Sequence, residues 1–177
     1  MKLWSLQPKE IAEGLLRGEA YVCKPELSGL YEEDCFKFAY GWLVEAMQKT
    51  IPKPEHVTIP AWAWHTHNGV NTKPDRRTYM FRRSYYADDE VILELEVPDS
   101  EVLLTDFDLW HSVLNNIEII SDEEYYADED RVYTAEEKAV TWQQIFEVKD
   151  VEFVQACLWE IKPEHVVKIH KPRRKKA

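Results

Sequence analysis

Three groups of side chains in this 177-residue chain have types and spacings that chemistry can use. Gln155 and Glu160 interrupt an otherwise apolar run from Phe153 to Ile161. Burying an unpartnered polar group costs roughly 1–3 kcal/mol, so each needs a reason to be there. Alternation along a strand puts Gln155 on the face of Phe153, Cys157 and Trp159, and Glu160 on the face of Val154, Ala156 and Leu158. These two are the candidate catalytic residues. The segment from Thr66 to Arg83 gathers Lys73, Arg76, Arg77, Arg82 and Arg83 against one acid, Asp75. Tyr79 and Phe81 lie among them, Tyr85 and Tyr86 follow, and Trp62 and Trp64 precede. Guanidinium forks match phosphate and aromatic rings stack on bases. Trp62, Trp64, Arg76 and Arg77 are therefore candidate contacts for a nucleotide-like ligand, NAD included.

The third group is Asp106, Asp108 and His111, with His65 and His67 upstream. Carboxylate and imidazole together suit a divalent cation. Asp106, however, is needed to cap the helix that follows, and an acid in a first helical turn is favoured by the helix dipole. The His65–Thr66–His67 pair has no second ligand pair at a recognisable spacing. No metal site is assigned. Cys23, Cys35 and Cys157 are odd in number and without metal spacing, which points to reduced thiols, and Cys157 sits in an apolar run as a core residue.

The elements that must carry these residues follow from hydrophobic period and punctuation. Leu3–Leu6 reads as a strand. Pro8 opens a helix with Ile11, Leu15 and Leu16 on one face and Gly18 as its stop. Residues 34–50 form the strongest helix, with Phe36, Ala39, Tyr40, Leu43, Ala46 and Met47 at helical spacing. Val57–His65, which contains Pro60, reads as an extended segment near a sheet edge, since proline cannot donate to a ladder. Val91–Val97 alternates as a strand buried on one face, and Val102–Leu104 as a second short one. Thr105-Asp106 caps a helix that turns Phe107, Trp110 and Leu114 inward and ends at Asn115-Asn116. Residues 118–130 read as a solvated acidic loop. Thr134 and Glu137 make a capping box for a further helix. Phe153–Ile161 is an interior strand, and Val166–Ile169 a last short one. The expected architecture is one α+β domain over residues 1–169, with a mixed or antiparallel split sheet and about four helices. Residues 170–177 form a basic tail.

Charge and length narrow the class. The net charge is −11; Lys171, Arg173, Arg174, Lys175 and Lys176 contribute +5, so the remainder carries −16. Such a field repels phosphate over most of the surface and confines nucleic-acid contact to the basic loop and tail. No apolar run reaches the roughly 18 residues of a membrane span, and the first residues lack an apolar signal core. The expectation is a soluble cytoplasmic protein with no membrane partner.

Trp4-Ser5-Leu6-Gln7, Ala39-Tyr40-Gly41-Trp42-Leu43, Pro60-Ala61-Trp62-Ala63-Trp64, Lys73-Pro74-Asp75-Arg76, the run from Val102 to Trp110 and that from Gln155 to Ile161 together resemble a bacterial family, domain of unknown function 3841. The resemblance runs from residue 2 to about 169 and implies no activity. The element order is also similar to that of small ADP-ribosyltransferase-like domains, whose catalytic Glu lies on a late strand. Here Gln155 stands near that place, and Trp4 and Ser5 stand where such enzymes often carry His or Arg. That second resemblance implies an NAD-like ligand contacted by Ser5 and Gln7, its ribose oriented by Gln155 or Glu160 and its phosphate held by Arg76. The competing class is a non-enzymatic module that binds nucleic acid through the basic loop and tail, or a basic protein through the acidic 118–130 segment.

Overall fold

The structure is a computed structural model describing residues 1–27, 34–76, 78, 81 and 90–171. In chain order its elements are β1 (Lys2–Pro8), α1 (Lys9–Leu16), α2 (Asp34–Gln48), β2 (Ala61–Thr66), β3 (Glu90–Glu96), β4 (Leu103–Asp106), α3 (Phe107–Leu114), α4 (Asp122–Ala127), α5 (Ala135–Thr141), β5 (Val154–Leu158) and β6 (Val166–His170). The strands form one antiparallel sheet in the order β4-β5-β2-β1-β3-β6. The fold is therefore α+β. Its sheet is antiparallel and continuous, rather than split.

Helices cover both faces. On one side α1 places Ala12 and Leu15 against Leu3, Leu93, Leu95, Ala63, Ala156 and Leu158. On the other, α2 and α3 pack Tyr40, Leu43, Met47, Trp110 and Val113 on Cys157 and Trp159, with Trp142 and Ile145 from the turn after α5. This second core is unusually aromatic. Trp42 and Phe38 meet Trp142 edge-on at 5.5 and 5.7 Å, and Trp62 tilts against Trp110 at 5.4 Å. Such pairings add to area burial because ring edges and faces carry opposite partial charge.

Local chemistry explains where elements stop. Gly18, at φ +91°, ends α1 through bonds from its own amide to the Leu15 carbonyl and from Glu19 to the Gly14 carbonyl. Few side chains tolerate that backbone. Asn68-Gly69, both at positive φ, turn the chain after β2, with His67 and Val70 exchanging backbone hydrogen bonds. The Thr134–Glu137 capping box forms as expected, and Asp106 caps α3 through bonds from the Asp108 and Leu109 amides at 2.8 and 3.1 Å.

Three expectations need correction. β2 is an interior strand between β5 and β1, not an edge. Pro60 falls just before its first ladder residue, where the missing N–H is not needed. Leu16 is 73% exposed, because the α1 stripe that packs runs through Ala12 and Leu15. The acidic 118–130 segment contains a helix, α4, capped by the Ser121 hydroxyl. Arg77, Arg82, Arg83, Tyr79, Tyr85, Tyr86 and residues 172–177 of the basic tail lie outside the described residues.

Candidate functional site

Ladder pairing sets which side chains share a face. Following partners across the sheet, Thr105, Gln155, Trp64, Trp4, Glu94 and Lys168 form a transverse row on the face covered by α2 and α3. The two ends of this row differ. At the β3-β6 end Glu94 accepts from Lys2 Nζ at 3.1 Å and His170 Nε2 at 2.8 Å, and these hydrogen bonds hold its carboxyl below the usual range.

At the β4-β5 end the polar atoms have no such partners. Thr105 is fully buried, yet its Oγ makes no hydrogen bond of ordinary geometry with any described residue; the neighbouring Cys157 thiol still feels the hydroxyl, which opposes the larger upward push of burial on that thiol. Further along the row, on β1, the indole N–H of buried Trp4 finds no partner among the described residues. Gln155 is partly exposed between Trp64 and Thr105, and its amide bonds to none of the described residues. Aromatic rings wall this end. Trp64 sits 5.0 Å from Phe107 and 5.1 Å from Phe81, centroid to centroid, and half-buried Trp62 is one step along β2 on the same face. His111 packs edge-on against Phe107 at 4.6 Å, and its Nδ1 donates to the Phe107 carbonyl. A buried hydroxyl and an unbonded carboxamide side by side are an arrangement able to read a ligand's donor and acceptor edge.

The other sequence-predicted residues are elsewhere. Ser5 and Gln7 alternate onto the opposite face, where the Gln7 amide donates to Ser5 Oγ at 2.8 Å and Ser5 donates to the Trp62 carbonyl at 2.8 Å. Both are buried, so their polar atoms are used in joining β1 to β2. Glu160 lies beyond the end of β5 and accepts from His56 Nε2 at 2.9 Å. Arg76 lies beside Glu90: its Nη1 donates to the Glu90 carbonyl at 2.8 Å, with the Glu90 carboxylate 3.6 Å from Nη2. Glu90 lies three strands and about four ladder positions from Gln155. By ordinary sheet spacings that is roughly 20 Å, too far for one small group to touch both Arg76 and Gln155.

Chemistry at Cys157 is closed off, since burial pushes its thiol up and keeps it protonated. No group of three or more His, Cys, Asp or Glu among the described residues is placed to hold a metal ion. Among the same residues no helix is long and apolar enough to cross a membrane.

The family model described as Domain of unknown function (DUF3841) matches residues 2–167. The chain belongs to this family. Trp4, Trp64, Thr105 and Gln155 each fall in a different one of the segments through which it resembles DUF3841. No curated protein and no solved structure matches the chain, and the resemblance to ADP-ribosyltransferase-like domains finds no support. Sequence reasoning singled out Gln155 but missed Thr105 and Trp4. Their unpartnered state depends on which strands flank β5 and β1, and no local pattern carries that.

Proposed function

We propose that this DUF3841 chain is a binding protein that takes a flat, hydrogen-bonding ligand of nucleobase type at the Gln155 end of the row. The observation that carries the reading is the pairing of an unbonded Gln155 amide with the buried, unpartnered Thr105 hydroxyl beside the Trp64 and Phe107 rings. A carboxamide presents a donor and an acceptor side by side, complementary to the amide or amidine edge of a base. Aromatic walls supply contact area and repel water. Gln155 has no ionisable carboxyl to stabilise a developing positive charge, so recognition is favoured over group transfer.

The test is a thermal-shift and tryptophan-fluorescence titration with adenosine, AMP, NAD and nicotinamide. At least one should raise the melting temperature and quench fluorescence, and Gln155→Leu should abolish both effects while leaving the unliganded melting temperature within a degree or two of the parent. No response to any of the four at millimolar concentration, or retained affinity in Gln155→Leu, would sink the reading.

A further inference from the structure

A second concave surface lies away from the row, between α2 and α5. Its volume is about 360 Å³. Phe38, Gly41 and Trp42 form one wall, Ala135 and Ala139 the other, and Glu45 and Glu136 stand at the rim. Three features set this groove apart from an ordinary seam between helices. Phe38 is 46% exposed although its ring edge rests on Trp142, so a large ring is left facing solvent at the groove. Gly41, Ala135 and Ala139 are the smallest side chains available, and a Cβ added at Gly41 would meet no heavy atom within 4 Å. A partner's side chain can therefore approach the helix backbone closely. Trp42 is held rigid by stacking on Phe146 at 5.7 Å and by an edge contact to Trp142.

Charge decides the occupant. Glu45 and Glu136 make no ion pair with any described residue. Other acids nearby are already committed: Glu137 accepts from Arg131 and from the Thr134 amide, and Glu118 faces Lys138. Residues 118–137 carry nine acids and one base, Arg131, so the approach to the groove lies in a negative field. An apolar slot with exposed aromatic rings and two unpaired carboxylates at its lip matches a lysine or arginine side chain. The aliphatic stem would lie on Gly41 and Ala139, with the cation over the rings and between the carboxylates.

We propose that the α2–α5 groove docks a basic, extended segment of a protein partner, with one Lys or Arg inserted beside Trp42. The probe is a short fluorescein-labelled peptide of alternating Leu, Lys and Arg, read by anisotropy against the full chain at moderate salt, with a matched Leu and Glu peptide as control. The basic peptide should bind and the acidic one should not. Gly41→Leu fills the slot without a backbone clash and should weaken binding by about ten-fold or more, and Glu45→Gln with Glu136→Gln by a similar factor. Substituting Asp122 and Glu123 on α4 with their amides removes the same charge outside the groove and should change affinity by less than about two-fold. Circular dichroism and melting temperature check that each variant is folded. The inference is overturned if Gly41→Leu binds as tightly as the parent, or if the α4 variant loses as much as the groove variant, which marks diffuse attraction. Concentration-dependent self-association that Gly41→Leu removes also overturns it, since the groove then takes the basic end of a second copy.

Discussion

Gln7 and Gln155 are the same residue type on interior strands of one sheet, on opposite faces, and they are treated in opposite ways. Gln7 is buried and donates to Ser5, which passes the bond on to the Trp62 carbonyl, so the polar atoms of that face are consumed in fastening β1 to β2. Gln155 meets Trp64 on one side and Thr105 on the other, and neither supplies a hydrogen bond. A polar residue in an apolar strand is therefore no sign of function by itself. What separates the two cases is whether a neighbouring side chain on the same face completes the bond.

That contrast has a direct energetic form. Removing a group that is already bonded should destabilise the fold, whereas removing one that is not should leave the fold intact and affect only what it binds. The largest effect is expected at Ser5. Ser5→Ala deletes a hydroxyl that both accepts from Gln7 and donates to Trp62, leaving a buried amide donor without a partner, and should cost about 2 kcal/mol in urea unfolding. A loss under about half a kcal/mol would show that the Ser5–Gln7 link is incidental. Next comes Asp106, adjacent to Thr105 but fully engaged as the cap of α3. Asp106→Ala should cost about 1 kcal/mol by the same measurement, and Asp106→Asn much less, since asparagine caps nearly as well.

A smaller and pH-dependent term belongs to His165, at the β6 edge. The ring is buried, its Nδ1 accepts from the Lys162 amide at 3.2 Å, and Nε2 faces a Glu101 oxygen at 3.6 Å. Burial pushes the imidazole below its ordinary value of 6.5, and Lys162 pushes the same way, while Glu101, Glu164 and Glu160 oppose the shift. The unfolded chain takes up the proton more readily than the folded one. The stabilising contribution is thus complete above about pH 6.5 and is lost as the pH falls through the ordinary histidine range. Unfolding followed at pH 7.5 and 5.5 should show the parent weakening on acidification more than His165→Gln does. Equal losses would assign the acid sensitivity elsewhere, first to His65, which burial also shifts down.

Much of the frame was legible in the sequence because the signals are local. The capping box at Thr134, the stop at Gly18 and the stripe of α2 each depend on residues within a turn or two. Alternation likewise assigned Gln155 to the face of Phe153, Cys157 and Trp159, and the structure packs α2 and α3 on Cys157 and Trp159. The site was legible only in part. Ser5, Gln7 and Gln155 looked equivalent as polar residues in strands. Their difference lies in neighbours some fifty or more residues away, such as the Trp62 carbonyl, which accepts from Ser5, and Thr105, the ladder partner of Gln155. The edge placement of β2 failed for the same reason, since Pro60 marks where a strand can begin but not who flanks it. Arg76 looked free for phosphate because Glu90 is distant in sequence, though the fold sets the two side by side.

The smallest stability effects are expected where the contrast is sharpest. Thr105→Val keeps the shape of the side chain and removes a buried hydroxyl that makes no hydrogen bond of ordinary geometry with any described residue. It should leave stability unchanged or raise it by a few tenths of a kcal/mol, because no partner is stranded and the desolvation cost of the hydroxyl disappears. Gln155→Leu should be similarly mild, within about 0.5 kcal/mol, since it replaces an unbonded amide on a strand whose other neighbours are apolar. Both variants should nevertheless lose the nucleobase-type ligand, and Ser5→Ala should keep it. A Thr105→Val variant destabilised by about 1 kcal/mol or more would mean that an internal water satisfies the hydroxyl in solution. The two glutamines would then differ only in whether protein or water completes the bond, and the case for a ligand would rest on Gln155 alone.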